Sequence, residues 1–235
     1  MSKVSQVSKV QIYKVQIYME ESKIVDSIQR YIDEVLHTLG MLPWERIRET
    51  IDILLQVHAR EGTIFTIGNG GSAATASHMA CDLAKGTIVP GCRRFRVIAL
   101  TDNLPLMTAW SNDLAYEDVF VEQLRGLFRP DDVLIAISGS GNSPNVLRAV
   151  EVARQMGGIT IGLIGFEGGQ LRELVDVPVV IPNQCMEQIE DIHVILGHLL
   201  STVLREQLQQ QLDGERIPLD EHVWRELALP VVSSS

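Results

Sequence analysis

The chain has 235 residues, a length that gives one domain with room for an appendage. Lys and Arg number 20 against 30 Asp and Glu, and the resulting charge of −10 argues against a protein that grips nucleic acid through its phosphates. Apolar residues are 46% and charged ones 21%, which excludes a disordered chain, and no apolar run of about 18 residues is present to span a membrane.

The first eighteen residues stand apart. Three Ser-x-Val triplets lead into the unit Lys-Val-Gln-Ile-Tyr, repeated at Lys9–Tyr13 and Lys14–Tyr18. A period of five suits neither strand nor helix, so 1–18 is read as a low-complexity, disordered tract, with the native start expected at Met19. Helical spacing follows from Glu21 to Gly40, carried by Ile24, Ile28, Tyr31, Ile32, Val35, Leu36 and Leu39. A second helix is predicted from Pro43 to Arg60, with Ile47, Ile51, Leu54, Leu55 and His58 on one side.

From Gly62 the pattern changes. Thr63–Ile67 reads as a strand, ends in Gly68-Asn69-Gly70-Gly71-Ser72, and leads into an Ala-rich helix to Lys85. A second strand, Arg96–Leu100, ends in Thr101-Asp102-Asn103. A third, Asp132–Ile137, ends in Ser138-Gly139-Ser140-Gly141-Asn142-Ser143 and precedes a helix to Met156. Strands at Ile159–Ile164 and Val177–Ile181 and a helix from Met186 to Gln211 complete the pattern. Nearly continuous apolar strands alternating with helices predict a doubly wound α/β domain around a parallel sheet. The domain is placed at 19–212, followed by a tail at 213–235 with a short helix near Asp220–Leu227.

Ligands of such sheets bind at the carboxyl ends of the strands, where a helix start offers free N–H groups and the positive end of its dipole. Both glycine-serine turns lie there, so Gly68–Ser72 and Ser138–Ser143 read as anion-gripping loops. Gly68-Asn69-Gly70-Gly71-Ser72-Ala73 formally fits a dinucleotide fingerprint. The acidic residue that fingerprint needs about 20 residues later is missing, Asp102 being 34 residues past Gly68. No Gly-Lys-Ser/Thr is present either, so a compact phosphate is expected and no nucleotide cofactor.

His78 and Asp82 are i and i+4 on one helix face. Glu190, Asp191, His193 and His198 come late in the chain. Such a set serves either as ligands of a divalent cation such as zinc or as acid and base. Glu190 and His198 are eight residues apart, about 12 Å along a helix, so both reach one ion only if the helix starts there, bends or borrows from a neighbour. His198 also fits a core position between Leu196 and Leu199. Cys81, Cys92 and Cys185 are odd in number and dispersed, which excludes a disulfide framework and agrees with a cytoplasmic location. Cys81 and Cys185 are read as small buried hydrophobes, and Trp110 and Tyr116 as core near the exit of the second strand.

Taken together, the two loops, His78, Ala-Leu-Thr-Asp102, Trp-Ser-Asn112-Asp113 and Ile-Glu190-Asp191-Ile-His193-x4-His198 resemble the sugar isomerase (SIS) domain, and within it the phosphoheptose isomerase branch, over about Ser22 to Gln211. The resemblance implies an α/β three-layer sandwich with a five-stranded parallel sheet. It implies a homotetramer whose N- and C-terminal helices form a central bundle, with sites at subunit interfaces. The phosphate of a sugar would be held by Asn69, Gly70, Gly71, Ser72, Ser138, Gly139, Ser140 and Ser143, with Asp102 contacting the substrate. His78 and His198 match histidines that bind zinc or move protons. The family places Glu where this chain has Asp82 and Gln where it has Glu190.

On this resemblance the expected activity is an aldose–ketose isomerisation, sedoheptulose 7-phosphate to a glycero-manno-heptose 7-phosphate through an enediolate. Asp82 or Glu190 would be the base and His198 the partner acid. If zinc binds, His78, Asp82, Glu190 and His198 are its expected ligands. The alternative is a non-catalytic SIS module, a sugar-phosphate sensor or an adaptor for a replication initiator. The retained His78, His193 and His198 favour the enzyme.

Overall fold

The β-branched apolar runs form five parallel strands: β1 (Thr63–Gly68), β2 (Arg96–Ala99), β3 (Val133–Ser138), β4 (Ile159–Ile164) and β5 (Val177–Val180). Their spatial order is β2-β1-β3-β4-β5. This computed structural model describes residues 9–214. Side chains alternate across the sheet, as a strand's period of two requires. Ile64, Val133, Ile135, Ile137, Ile161 and Leu163 face one core. Phe65, Ile67, Leu134, Ala136 and Ile164 face the other.

The first core is closed by α2 (Trp44–Ala59), α3 (Gly71–Cys81) and α8 (Met186–Asp213), through Leu54, Met79, Leu196 and Leu200. The second is closed by α5 (Val121–Leu127) and α6 (Pro144–Gln155), through Leu124, Val146 and Val150. Helices thus cover both faces of a parallel sheet, the three-layer arrangement expected. At the base of the sheet the buried Asp132 carboxylate accepts the N–H groups of Thr63 (2.7 Å) and Arg129 (2.8 Å), tying the starts of β1 and β3 together. Each outer strand is four residues long, and β5 carries Pro178 in its middle.

The remaining long helix, α1 (Lys9–Gly40), meets the sheet layer through its C-terminal part. Tyr31 donates to Asp191 (2.5 Å), Gln188 to Glu34 (2.7 Å) and Asn183 to Thr38 (2.7 Å). The hydrogen bond to Asp191 pushes the Tyr31 phenol up to about 12. Ile24, Val25, Ile28, Ile32 and Leu36 of α1 are each about half exposed or more. The helix runs through Lys9–Tyr18, a stretch read from sequence as disordered. No Gly or Pro interrupts the repeated units, so nothing in them breaks helical backbone. Residues 1–8 and the helix expected near Asp220–Leu227 lie outside the described residues.

Two further differences concern the site. The helix after β1 does not run uniformly to Lys85: it passes into a π turn at Asp82–Gly86. Between β2 and β3, where the sequence shows no periodicity, the chain forms α4 (Leu104–Asp113) and a 3-10 turn at Tyr116–Asp118. None of the residues of α4 is fully buried, Met107 and Trp110 being half-covered on the second core, and its start rests on the Asn103 cap, whose Oδ1 accepts Leu106 N–H (3.2 Å). A one-turn helix, α7 (Leu171–Leu174), precedes β5. Among the described residues no helix is long and apolar enough to cross a membrane.

Candidate functional site

The strand order sends the chain to one side of β1 for β2 and to the other for β3. The loops after β1 and β3 therefore open side by side at the switch point, the crevice where doubly wound sheets take ligands. Each leads into a helix, α3 or α6, whose first N–H groups point into that crevice.

The second loop is a tight, serine-lined turn. Ser138 is buried at the end of β3, and its Oγ accepts the N–H of Gly141 (3.2 Å). Ser140 Oγ accepts the N–H of Asn142 (3.3 Å). Gly141 has φ +65, and a Cβ there would collide with the carbonyl of Gly168. Ser143 stands at the N-cap of α6, but its hydroxyl makes no cap hydrogen bond. That hydroxyl and the helix N-terminus are a ready donor set for an anion.

The first loop is occupied differently. A Cβ on Gly71 would lie 2.5 Å from Oε2 of Glu190 and 2.6 Å from its Oε1. The Glu190 carboxylate, from the second turn of α8, thus rests on the backbone at the start of α3, and a side chain at Gly71 would push it aside. Ser72 is buried one residue later. Asn69 reaches across to the second loop. It donates to Oδ1 of the buried Asn145 (2.8 Å), and Asn145 donates back to Asn69 Oδ1 (2.8 Å). Tyr116 donates its hydroxyl to the same Asn69 oxygen (2.9 Å). At the exit of β2, Asp102 accepts a hydrogen bond from Ser77 on α3, and Ser77 also meets Thr101 (3.0 Å).

Three ionisable groups converge farther along α3. His78 Nε2 lies 3.1 Å from Asp82 Oδ2, and His198 Nε2 lies 3.4 Å from the same oxygen. The two Nε2 atoms are 2.9 Å apart. Asp82 Oδ2 is buried and has no hydrogen bond of good geometry. Two imidazole nitrogens and an unsatisfied buried carboxylate oxygen all face one point, and these ligand atoms lie within 4.8 Å of one another. The donor types and the open side suit a divalent cation with a coordination position left free. Asp82 reaches both histidines despite its short side chain, at the point where α3 turns into the π turn.

Three of the four expected ligands come together here; Glu190 lies apart, its carboxylate against Gly71, in keeping with the helical rise between positions 190 and 198. His198 is no core histidine: its side chain is 55% exposed. The buried one is His193. Neither of its ring nitrogens makes a hydrogen bond of good geometry, and burial pushes it down to about 4, the nearby Ile164 carbonyl opposing this only weakly. Tyr116 is half exposed and belongs to the first loop rather than the core, while Trp110 packs partly buried on the second core. Cys81 is exposed and Cys185 half-buried, so neither is the buried hydrophobe expected. Asn145 went unread because an asparagine after Ser143-Pro144 looks like an ordinary polar helix start.

A family model described as the SIS domain matches residues 26–165. A phosphoheptose isomerase of Nitratiruptor is 40% identical over 167 residues, covering 69% of this chain and 89% of that protein. A phosphoheptose isomerase of Geotalea daltonii is 35% identical over 183 residues, covering 78% of this chain and 93% of that one. The solved phosphoheptose isomerase of Neisseria gonorrhoeae superposes with a TM-score of 0.71 at 30% identity, over 79% of this chain and 98% of the other.

Proposed function

The chain belongs to the SIS-domain family and, within it, to the phosphoheptose isomerases, and we propose that it interconverts the ketose and aldose forms of a phosphorylated sugar. The observation that carries this is the meeting of His78, Asp82 and His198 beside two serine-lined anion loops.

Shifting a carbonyl between C1 and C2 needs a base for a carbon-bound proton and a group that neutralises the enediolate oxygen. The second loop, through Ser138, Ser140 and Ser143, grips the phosphate, and the free N–H of Asn69 adds a donor. Ser72 and His78 are six residues apart on α3, about 9 Å. That distance is comparable to the extended length of a heptose chain, so phosphate on the loops sets the carbonyl end at the three converging groups. Sedoheptulose 7-phosphate is the substrate of this reading. Asp82 takes the proton from carbon and returns it to the neighbouring carbon. His198 gives and receives the proton on oxygen. Glu190, held near the phosphate end, is not the base here. Asp102 lies at the edge of the cleft, where a sugar hydroxyl would meet it.

If zinc binds, His78, Asp82 and His198 would hold it and it would supply a Lewis acid at the carbonyl oxygen; the proton transfers by Asp82 and His198 belong to the metal-free site.

The apolar side of α1 supports a second part of the reading. Ile24, Ile28, Ile32 and Leu36 form a stripe too exposed for a helix that ends its life on a monomer surface. We read it as the seat of a homotetramer formed with α8. The net charge of −10 argues against nucleic acid as a partner, and the proposed compartment is the cytoplasm.

Proton NMR of sedoheptulose 7-phosphate in heavy water, with added zinc and with chelator, tests the reading. Deuterium entering the carbon beside the carbonyl, with aldose appearing, is the expected result. No exchange in either lane would leave a sugar-phosphate binding module.

A further inference from the structure

We propose that Asn145 and Tyr116 are positioning residues that fix the Asn69 amide, and through it the spacing of the two substrate loops. The inference rests on the isomerase reading above.

The argument is one of hydrogen-bond capacity. An amide oxygen accepts two hydrogen bonds and its nitrogen donates two. Asn69 Oδ1 is filled by Asn145 Nδ2 (2.8 Å) and Tyr116 OH (2.9 Å). One Asn69 N–H is taken by Asn145 Oδ1 (2.8 Å). A single N–H therefore remains, and Asn69 meets the substrate only as a donor, the polarity that a phosphate or hydroxyl oxygen requires. Asn145 is 1% exposed at the start of α6, and its Oδ1 also accepts Val146 N–H (3.0 Å). The pair thus bolts the loop after β1 to the start of the helix that follows the loop after β3. Tyr116 draws the segment following α4 over the same loop, although it is 51% exposed and packs in neither core. Removing its hydroxyl opens an Asn69 lone pair and leaves the amide held by Asn145 alone, so its remaining N–H is less firmly aimed at the substrate.

A double-mutant cycle separates this from a merely structural role. Tyr116→Phe should raise KM for sedoheptulose 7-phosphate about fivefold, the worth of one neutral hydrogen bond, with kcat within twofold and the melting temperature unchanged. Asn145→Asp keeps the acceptor, loses the donor and should raise KM about tenfold or more. In an Asn69→Ala background, Tyr116→Phe should have no further effect, because it acts through Asn69 alone. Calorimetric binding of the same sugar phosphate should show the same ratios, independently of turnover. Wild-type protein that binds the sugar without turning it over, with the ratios intact, sinks the isomerase reading and keeps this inference. An unchanged KM in Tyr116→Phe, or effects that add in the Asn69→Ala background, overturns the inference and leaves the isomerase reading standing. Wild-type protein that does not bind the sugar overturns both.

Discussion

The loops after β1 and β3 are written in one grammar: a central strand, a run of Gly and Ser, a helix. The fold puts them to different uses. The loop after β3 is braced by its own serines and by backbone of the segment that follows β4, and it leaves the Ser143 hydroxyl and a helix start open. The loop after β1 is furnished from elsewhere. Glu190 lies on Gly71, and Asn145 and Tyr116 hold Asn69. The helix it feeds carries His78 and, at its end, Asp82. Equal local sequence thus gives one loop that grips and one that connects grip to chemistry. The difference arises from what packs on each.

The sharpest way to break this contrast is at the chemical end. Asp82→Asn should cut kcat about a thousandfold, as should His198→Ala, with circular dichroism and oligomeric state unchanged. A variant that keeps full turnover would place the proton transfer elsewhere. Acid should act next, through the packing between the loops and α8. His193 titrates near 4 in the fold and near its ordinary 6.5 when unfolded, so the unfolded state takes up the proton first. Stability is then full above about pH 6.5, falls as pH drops toward 4, and is flat below. Between pH 7.5 and 5 the loss should be about 2 kcal/mol in urea titrations, and His193→Leu should remove that part of it. Ser138→Ala and Ser140→Ala should each raise KM about tenfold and leave kcat within a few-fold, because the second loop binds and does not react. The smallest effect is expected from Glu190→Gln. Losing a negative charge beside the phosphate site should lower KM two- to threefold, on the order expected for one partly screened charge. A collapse of kcat instead would make Glu190 the base.

How much of this was legible depends on how local each signal is. The five strands are short apolar runs, and both loops follow directly from them, so strand ends and anion sites were read together. His78 and Asp82 share a helix face through i,i+4 spacing alone. His198 is 116 residues beyond Asp82 and joins them only because α8 packs along α3, a fact no local pattern carries. Glu190 was drawn into the ligand set by sharing a helix with His198, and the helical rise separates the two. Asn145 and Tyr116 act through contacts to residue 69, 76 and 47 positions away. Helix α4 half-buries only the i,i+3 pair Met107 and Trp110 against the second core, too short a pattern to mark a helix by itself.

The two borders of the sheet decide how copies of this chain can meet. Along β5, Ile181 N–H points inward to Ile164 O (2.8 Å), and alternation puts position 178 facing outward. That position is proline, so the outer border lacks a donor where an added strand would need one. The opposite border, β2, is four residues long and begins with the exposed Arg96, a charge that a strand arriving from another molecule would have to bury. Growth by strand addition, the route to fibrils, is blunted on both sides. Self-recognition is left to the helical surface, where association can close and stop.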